Sequence, residues 1–335
     1  MFLLYRFLKI IVSVAIRIFC RRIVINNSAR LTEPGPLLLA CNHPNSFLDA
    51  VILDTIFKQP VYSLARGDVF VNKYISSILR ALKILPVYRV SEGVENLSNN
   101  YETFDECKDL FRKKGTILIF SEGRCINEWH LRPLKKGTAR LAIDSWENGI
   151  PLRILPVGIN YSSFKLFGKN VFINFGNIIE QKDVDMHQAD GLRNHQFNNI
   201  LRNELEALVY EIPKGDTHAQ KKLLSLPISI FKKIILFIPA VLGALVHLPH
   251  YIPIKLISKR LAAHNDHFDS VIIALLLFSY PLYIAGIIAL MYLILQTAWV
   301  LCAILVLPLL AWAAVQLNQQ TDGVHTRLTT DSPAM

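Results

Sequence analysis

Residues 36–49 read PLLLACNHPNSFLD, an apolar run that passes directly into a polar turn. The apolar part, residues 36–40, predicts a buried strand, and His43 follows at its end. Ligands bind at the carboxyl ends of strands in α/β sheets. A histidine exchanges a proton near neutral pH, and a carboxylate on its second ring nitrogen would hold the required tautomer. His43 and Asp49 are therefore the candidate general base and its orienting partner.

The spacing of this pair sets a condition on the backbone between them. On a regular helix, residues at this separation point about 120° apart, so the pair can meet only if the turn is not helical throughout. Pro44 disfavours helical geometry at His43, which supplies such a break. The alternative is a capping box, with Ser46 as N-cap and Asp49 as the third residue of a helix over residues 47–58. The two interpretations are compatible.

Composition limits the classes of partner. The chain has 335 residues, a formal net charge of +10 and 52% hydrophobic residues, which are concentrated toward its two ends. Such a basic balance suits nucleic acid, an anionic membrane surface or a phosphorylated substrate. The apolar ends favour the last two, and we find no nucleic-acid-binding motif.

The cysteines are scattered and form no Cys-x-x-Cys pair, which argues against a zinc site and a disulfide framework. We therefore expect the part of the chain outside the membrane to lie in a reducing compartment. Cys41 precedes His43 closely enough to be an alternative nucleophile, although a cysteine at a strand end is usually a small buried apolar residue.

Short apolar runs alternate with helical stretches from about residue 30 to residue 224, which predicts an α/β fold with a mixed sheet flanked by helices. Candidate strands are residues 36–40, 61–65, 84–88, 116–120, 153–160 and 171–175. Candidate helices are residues 48–58, 72–82, 97–114, 134–147 and 192–210. Residues 161–182 lean toward β-structure and suggest an edge hairpin.

The two ends predict membrane association. Residues 1–20 are apolar except for Arg6, Lys9 and Arg17, which share one side of a helical wheel and would face lipid phosphates. Residues 234–254 and 270–321 contain no charged side chain, and the second stretch is long enough for a hairpin over residues 271–292 and 297–315. We therefore divide the chain into an interface helix (1–29), an α/β domain (30–225), a membrane region with two or three apolar helices (226–321) and a polar tail (322–335).

Basic residues follow several of the predicted strands. Arg89 ends the strand over residues 84–88, and Glu122-Gly123-Arg124 ends the strand over residues 116–120. Lys135 and Lys136 open a helix, where their charge opposes the helix dipole unless an anion binds there. Arginine grips a phosphate through paired hydrogen bonds, although a turn with ordinary surface charges explains each motif equally well.

A cluster of histidine, asparagine and aspartate over residues 264–269 directly precedes an apolar stretch. Helix capping is the preferred interpretation there, and we expect no metal site.

Taken in order, these motifs resemble the blocks of the glycerolipid acyltransferase family, which includes glycerol-3-phosphate and lysophosphatidate acyltransferases. Asn42-His43 with Asp49 matches the first block, and Pro86-Val87-Tyr88-Arg89 the second. Phe120-Ser121-Glu122-Gly123-Arg124 is close to the third, and Leu155-Pro156-Val157-Gly158 to the fourth. The departures are one extra residue between His43 and Asp49, a serine at 121 where proline is usual, and an arginine that stands one place early at 124.

The resemblance implies direct acyl transfer from acyl-CoA or acyl-carrier protein to a hydroxyl of glycerol-3-phosphate or a lysophospholipid. His43 and Asp49 would be catalytic, Glu122 and Gly123 would position the acceptor, and Arg89, Arg124, Lys135 and Lys136 would bind its phosphate. It implies a lipid bilayer as a partner, no metal, no cofactor and no nucleic acid. We expect a bacterial inner membrane, with the active site at the cytoplasmic face. The alternatives are a lipid hydrolase or thioesterase, and a non-enzymatic membrane scaffold.

Overall fold

The computed structural model describes residues 2–88, 99–263 and 265–321. The strands are β1 (Cys20–Asn26), β2 (Leu37–Cys41), β3 (Val61–Arg66), β4 (Ile84–Val87), β5 (Thr116–Phe120), β6 (Arg153–Tyr161) and β7 (Lys169–Phe175). The helices are α1 (Phe2–Phe19), α2 (Phe47–Ile56), α3 (Lys73–Ala81), α4 (Asn99–Arg112), α5 (Lys136–Glu147), α6 (Asp190–Leu208), α7 (Thr217–Leu224), α8 (Ile230–Leu261), α9 (Phe268–Leu295) and α10 (Ala303–Leu317).

The strands form one mixed sheet in the order β1-β7-β6-β2-β5-β3-β4. Neighbours are parallel except β6 and β7, which are antiparallel. The predicted mixed sheet flanked by helices is thus confirmed. Because the direction reverses once between β6 and β7, the amino end of β1 lies at the same edge of the sheet as the carboxyl ends of β2 and β5.

Strand β1 was not predicted from the sequence. It pairs with β7 in parallel, so β7 is not the edge strand that the sequence suggested. Arg21 and Arg22 interrupt the apolar alternation at the start of β1, which hides the strand from a periodicity search. Residues assigned to the interface segment 1–29 therefore contribute a strand to the α/β sheet.

The core lies on both faces of the sheet. Leu38 and Ala40 of β2 face a cluster formed with α4, α5 and α6. Leu37, Leu39 and Cys41 face the opposite cluster, which includes residues of α1, α2 and α9. This alternation is the period of two that a strand buried on both sides requires.

Helix α1 packs against α2. The Tyr5 hydroxyl donates a hydrogen bond to Asp54 Oδ1 (2.6 Å), and Lys9 Nζ lies 3.3 Å from the same oxygen and 2.9 Å from the Phe57 carbonyl oxygen. The expectation that Lys9 faces lipid phosphates is therefore wrong, because its ammonium group pairs with Asp54 of α2.

Within the described residues, three helices in the C-terminal region are long and apolar enough to cross a membrane: Ile230–Leu261, Phe268–Leu295 and Ala298–Leu317. Polar side chains join α8 to α9. His247 Nε2 lies 2.9 Å from the Tyr280 hydroxyl, and His250 Nε2 lies 2.9 Å from Ser279 Oγ. Hydrogen bonds of this kind hold apolar helices together, so neither histidine needs a ligand to explain it.

Candidate active site

The turn between β2 and α2, residues 42–49, is called the His43 turn below. His43 Nδ1 lies 2.9 Å from Asp49 Oδ2. The pair can meet because the backbone reverses at Ser46, whose φ of 52° is uncommon for a residue with a side chain. Ser46 stands at the N-cap position of α2, but its side chain makes no capping hydrogen bond. The capping-box alternative is therefore not formed.

Asp49 is fully buried and is held from three sides. Its Oδ2 also accepts a hydrogen bond from the Asn45 backbone N–H (2.8 Å), and its Oδ1 accepts one from the Tyr161 hydroxyl (2.7 Å). In the tautomer that matches this contact, Nδ1 carries the proton and donates it to Asp49, which leaves the lone pair on Nε2. Burial raises the pKa of Tyr161 well above its ordinary value, and the charge of Asp49 adds to this, so Tyr161 remains a donor.

The ring and backbone of His43 are braced by the strand-end motif of β5. The ring stacks on Phe120, with centroids 3.7 Å apart. Glu122 Oε2 accepts from the His43 backbone N–H (2.8 Å), and Oε1 accepts from the Arg132 backbone N–H (2.9 Å). Glu122 is buried, and burial is the main cause that raises its pKa. Each carboxylate oxygen thus accepts a hydrogen bond from a backbone N–H, so Glu122 supports the backbone of His43.

His43 lines a cavity of about 2360 Å³. Among the described residues, none forms a hydrogen bond with its Nε2. Apolar side chains from α1, α2 and α9 line part of this cavity: Leu8, Val12, Ala50, Val51, Ile273, Ala274, Leu277 and Phe278. The cavity therefore offers an imidazole nitrogen next to a surface on which a hydrocarbon chain can lie.

Cationic side chains line another part of the same cavity: Arg124, Lys135, Lys136 and Arg140. Gly123 turns the chain with a φ of 67°, and a Cβ there would stand 3.0 Å from Lys135 Cγ, so the turn and the start of α5 are in close contact. None of Arg124, Lys135 and Lys136 forms an ion pair with a described residue. The acidic residues farther along this wall are paired with Lys108 and Arg193.

Arg89 lies outside the described residues, so its position relative to the cavity is not stated. The strand that precedes it, β4, ends at Val87, and Val87 and Tyr88 line the cavity. His264 also lies outside the described residues.

The start of α9 holds the His43 turn from the far side. Asn45 Nδ2 donates to Asp269 Oδ2 (2.6 Å), and the same oxygen pairs with Lys169 Nζ at the start of β7. Lys169 and Asp269 are both buried, at 0% and 1% side-chain exposure. Sequence reasoning missed Lys169 and Tyr161, because neither stands in a motif that points to His43.

A hydrolase would need a nucleophile near His43. Ser46 lines the cavity, and its side chain makes no capping hydrogen bond. The other candidates are buried or hydrogen-bonded. Cys41 is fully buried, and this burial raises the pKa of its thiol well above the ordinary value. Ser121 is buried, and its hydroxyl oxygen accepts a hydrogen bond from Thr138 (3.0 Å). Cys125 Sγ accepts from the Ser46 backbone N–H (2.9 Å), and burial raises the pKa of that thiol too.

Comparison with known proteins gives one family. Residues 22–160, which carry the His43 turn and nearly all of β1 to β6, match the family described as Acyltransferase. A solved structure, the 1-acyl-sn-glycerophosphate (LPA) acyltransferase PlsC from Thermotoga maritima, is 18% identical. That similarity covers 60% of this chain and 79% of that one, with a TM-score of 0.42. A likeness of this degree does not identify a substrate, and no curated protein matches the chain significantly. Residues 22–160 therefore match an acyltransferase domain, and this match includes the His43 turn.

Proposed function

We propose that this acyltransferase moves a fatty acyl group from acyl-CoA or acyl-carrier protein to a hydroxyl of glycerol-3-phosphate or of a lysophospholipid. The observation that carries the proposal is the geometry at His43. Its Nδ1 is held by buried Asp49, and its ring lines a cavity with an apolar wall on one side and cations on another.

In this proposal His43 Nε2 takes the proton from the acceptor hydroxyl as the oxygen attacks the thioester carbonyl carbon. The C–O bond forms, the C–S bond breaks, and the leaving thiolate receives the proton from the imidazolium. Asp49 stabilises the imidazolium between these steps, as a carboxylate does in other His-dependent acyl transfers. Neither a covalent acyl-enzyme nor a metal ion takes part.

The proposed substrate contacts rest on the cationic and apolar side chains that line the cavity. Arg124, Lys135 and Lys136, with Arg89, would bind the acceptor phosphate, and Gly123 would let the acceptor approach the backbone. Glu122 acts by holding the His43 backbone. The acyl chain would lie along α9 and α1, which keeps it next to the bilayer that supplies and receives it.

We further propose that α9 and α10 cross a membrane, and that this membrane is a bacterial inner membrane with the active site at its cytoplasmic face. Lys255, Lys259 and Arg260, which precede α9, support this orientation because basic residues favour the cytoplasmic side. The division into residues 1–29, 30–225 and 226–321 remains a proposal, with β1 now counted in the α/β domain; residues 322–335 lie outside the described part.

The test is acyl transfer by the purified full chain, measured with one acyl-CoA and one acyl-carrier protein against phosphorylated acceptors and their dephosphorylated counterparts. We expect His43→Ala to lower the rate by about 10²–10⁴-fold, the usual contribution of a general base. The control is His130→Ala, which removes an exposed histidine paired with Glu211 outside the cavity. Full activity in His43→Ala would rule out the general base, and equal use of acceptors without phosphate would rule out the phosphate site.

A further inference from the structure

A second, smaller cavity of about 420 Å³ lies where the start of β1, the start of α8 and the end of α10 meet. We call it the Arg21 cleft. It is lined by Arg21, Arg22, Pro227, Ile228, Ser229, Lys232, Trp312 and Gln316. Three of these residues are cations and none is acidic. It shares no lining residue with the cavity at His43.

Arg21 is the central observation, because it is a buried cation that forms no ion pair within the described part of the chain. Only 8% of the residue is exposed. Its Nη2 donates to the Leu226 carbonyl oxygen (3.1 Å), whereas Nε and Nη1 are buried with no hydrogen-bond partner among the described residues. A buried guanidinium with unmatched donors is costly, and native structures normally supply an acceptor.

The neighbours of Arg21 add positive charge and supply no acid. Lys232 Nζ donates to Gln316 Oε1 (2.6 Å), and Gln316 Nε2 donates to the Arg21 carbonyl oxygen (3.1 Å). A neutral amide thus stands where an ion pair would be expected. Arg22 is exposed at the mouth of the cleft. Burial, together with the charge of Arg22, lowers the pKa of Arg21, which reflects the same unbalanced charge.

The start of α8 reinforces this field. Ser229 caps the helix by accepting from the Lys232 backbone N–H (3.2 Å), and Ser229 and Lys232 both line the cleft. The N-terminal end of a helix carries a partial positive charge and binds anions readily. A side-chain cation in the first turn adds to that charge instead of offsetting it.

We infer that the Arg21 cleft binds a phosphate group, and that this phosphate belongs to the headgroup of an anionic membrane lipid. The lipid assignment rests on position. Ile230 and Phe231 beside the cleft are 75% and 78% exposed, and α8 and α10 are long apolar helices. The amino end of β1 also shares its sheet edge with the His43 turn. Basic pockets between membrane helices are known to hold such headgroups.

The experiment measures lipid binding to the full chain in detergent by native mass spectrometry, with phosphatidylglycerol and phosphatidylcholine titrated separately. We expect wild type to bind one phosphatidylglycerol more tightly than phosphatidylcholine. Arg21→Gln should weaken that binding by about tenfold or more, as loss of a charge-assisted hydrogen bond predicts. The control is Lys233→Gln, which also removes one positive charge, at an exposed residue in the first turn of α8 that does not line the cleft.

A parallel arm adds inorganic phosphate and follows thermal unfolding. Phosphate that raises the Tm of wild type but not of Arg21→Gln, with no preference for phosphatidylglycerol, would keep the phosphate site and overturn the lipid assignment. Equal lipid binding and equal Tm in wild type, Arg21→Gln and Lys233→Gln would overturn the site itself. If Arg21→Gln does not fold, Lys232→Gln and Arg22→Gln replace it, and their lipid binding and Tm are compared with those of wild type and Lys233→Gln. None of these measurements uses acyl transfer, so they are independent of the proposed function.

Discussion

At the scale of single residues, Asp49 has the most demanding position, because a fully buried carboxylate must find acceptable donors. It accepts from the His43 ring, from the Asn45 backbone and from Tyr161. These donors stabilise the negative charge of Asp49, which in turn stabilises the proposed imidazolium. Removing the charge of Asp49 and removing one neutral donor, the Tyr161 hydroxyl, should therefore affect catalysis to different extents.

We expect Asp49→Asn to lower kcat by about 10²-fold or more, because an amide can neither hold the Nδ1–H tautomer nor stabilise the imidazolium. Tyr161→Phe removes one neutral hydrogen bond, so we expect a loss of less than about tenfold in kcat, with a stability loss of about 1–2 kcal/mol. Steady-state kinetics and thermal unfolding of the two variants check this order. A Tyr161→Phe variant as impaired as Asp49→Asn would contradict the assignment of Asp49 as the main partner.

Glu122 predicts a pH effect on stability. Its folded-state pKa is raised, chiefly by burial, above the ordinary value of 4.5. As the pH rises past that value, the unfolded chain loses this proton before the folded chain does, so the free energy of unfolding falls through the window between the two pKa values. We expect the Tm of wild type, relative to Glu122→Gln, to decrease from about pH 4 upward and then to level off. Parallel pH profiles for the two proteins would refute this.

At the scale of elements, the contact between α9 and the His43 turn stands out because α9 lies outside the segment that matches the family. Asp269 binds Asn45 and pairs with Lys169, so one buried carboxylate ties α9, the His43 turn and β7 together. Removing one member of a buried pair strands the other charge, at a cost of about 3–5 kcal/mol, whereas replacing both by apolar residues is often neutral.

We therefore expect Asp269→Leu alone to destabilise the protein strongly, and Lys169→Met with Asp269→Leu to restore the Tm. The double variant still lacks the acceptor for Asn45, so we expect its kcat to stay about tenfold below wild type with little change in KM, as for a positioning contact. A double variant with wild-type Tm and wild-type kcat would show that the pair is only structural.

At the scale of the whole molecule, the pair of apolar helices α9 and α10 contacts the α/β domain at the start of α9 and at the end of α10. Helix α9 starts beside the His43 turn, and α10 ends where Gln316 contacts the backbone of Arg21. Helix α9 has 28 residues, or about 42 Å at 1.5 Å per residue, which exceeds the apolar thickness of a bilayer. The first turn of α8 bonds to the end of α10 through Lys232 and Gln316, and Gln316 in turn contacts the backbone of Arg21. Farther along α8, Tyr251 contacts Phe167 of the α/β domain.

This arrangement predicts that residues flanking α8 face the same side of the membrane as the domain, and that the turn after α9 faces the other side. We would replace exposed Cys302 by alanine and introduce single cysteines at Lys222, Ala263 and Thr297. A membrane-impermeant maleimide should label the first two from one side of sealed vesicles and Thr297→Cys from the opposite side. Labelling of all three from one side would contradict the two crossings by α9 and α10.

The sequence by itself determined the features that arise from local pattern. Strand β2, helix α2 and the long apolar helices follow from periodicity and hydrophobicity, which neighbouring residues carry. The sequence also offered the His43–Asp49 contact beside a capping box, and the backbone conformation at Ser46 in the structure decided between them.

Only the tertiary structure decided which distant groups meet. Tyr161 lies 112 positions from Asp49, and Asp269 lies 224 positions from Asn45. Strand β1 pairs with β7, and the Arg21 guanidinium has no acidic partner among the described residues. Groups so far apart in the sequence come into contact only when the whole chain packs. The local pattern of residues around each group therefore does not predict its partner.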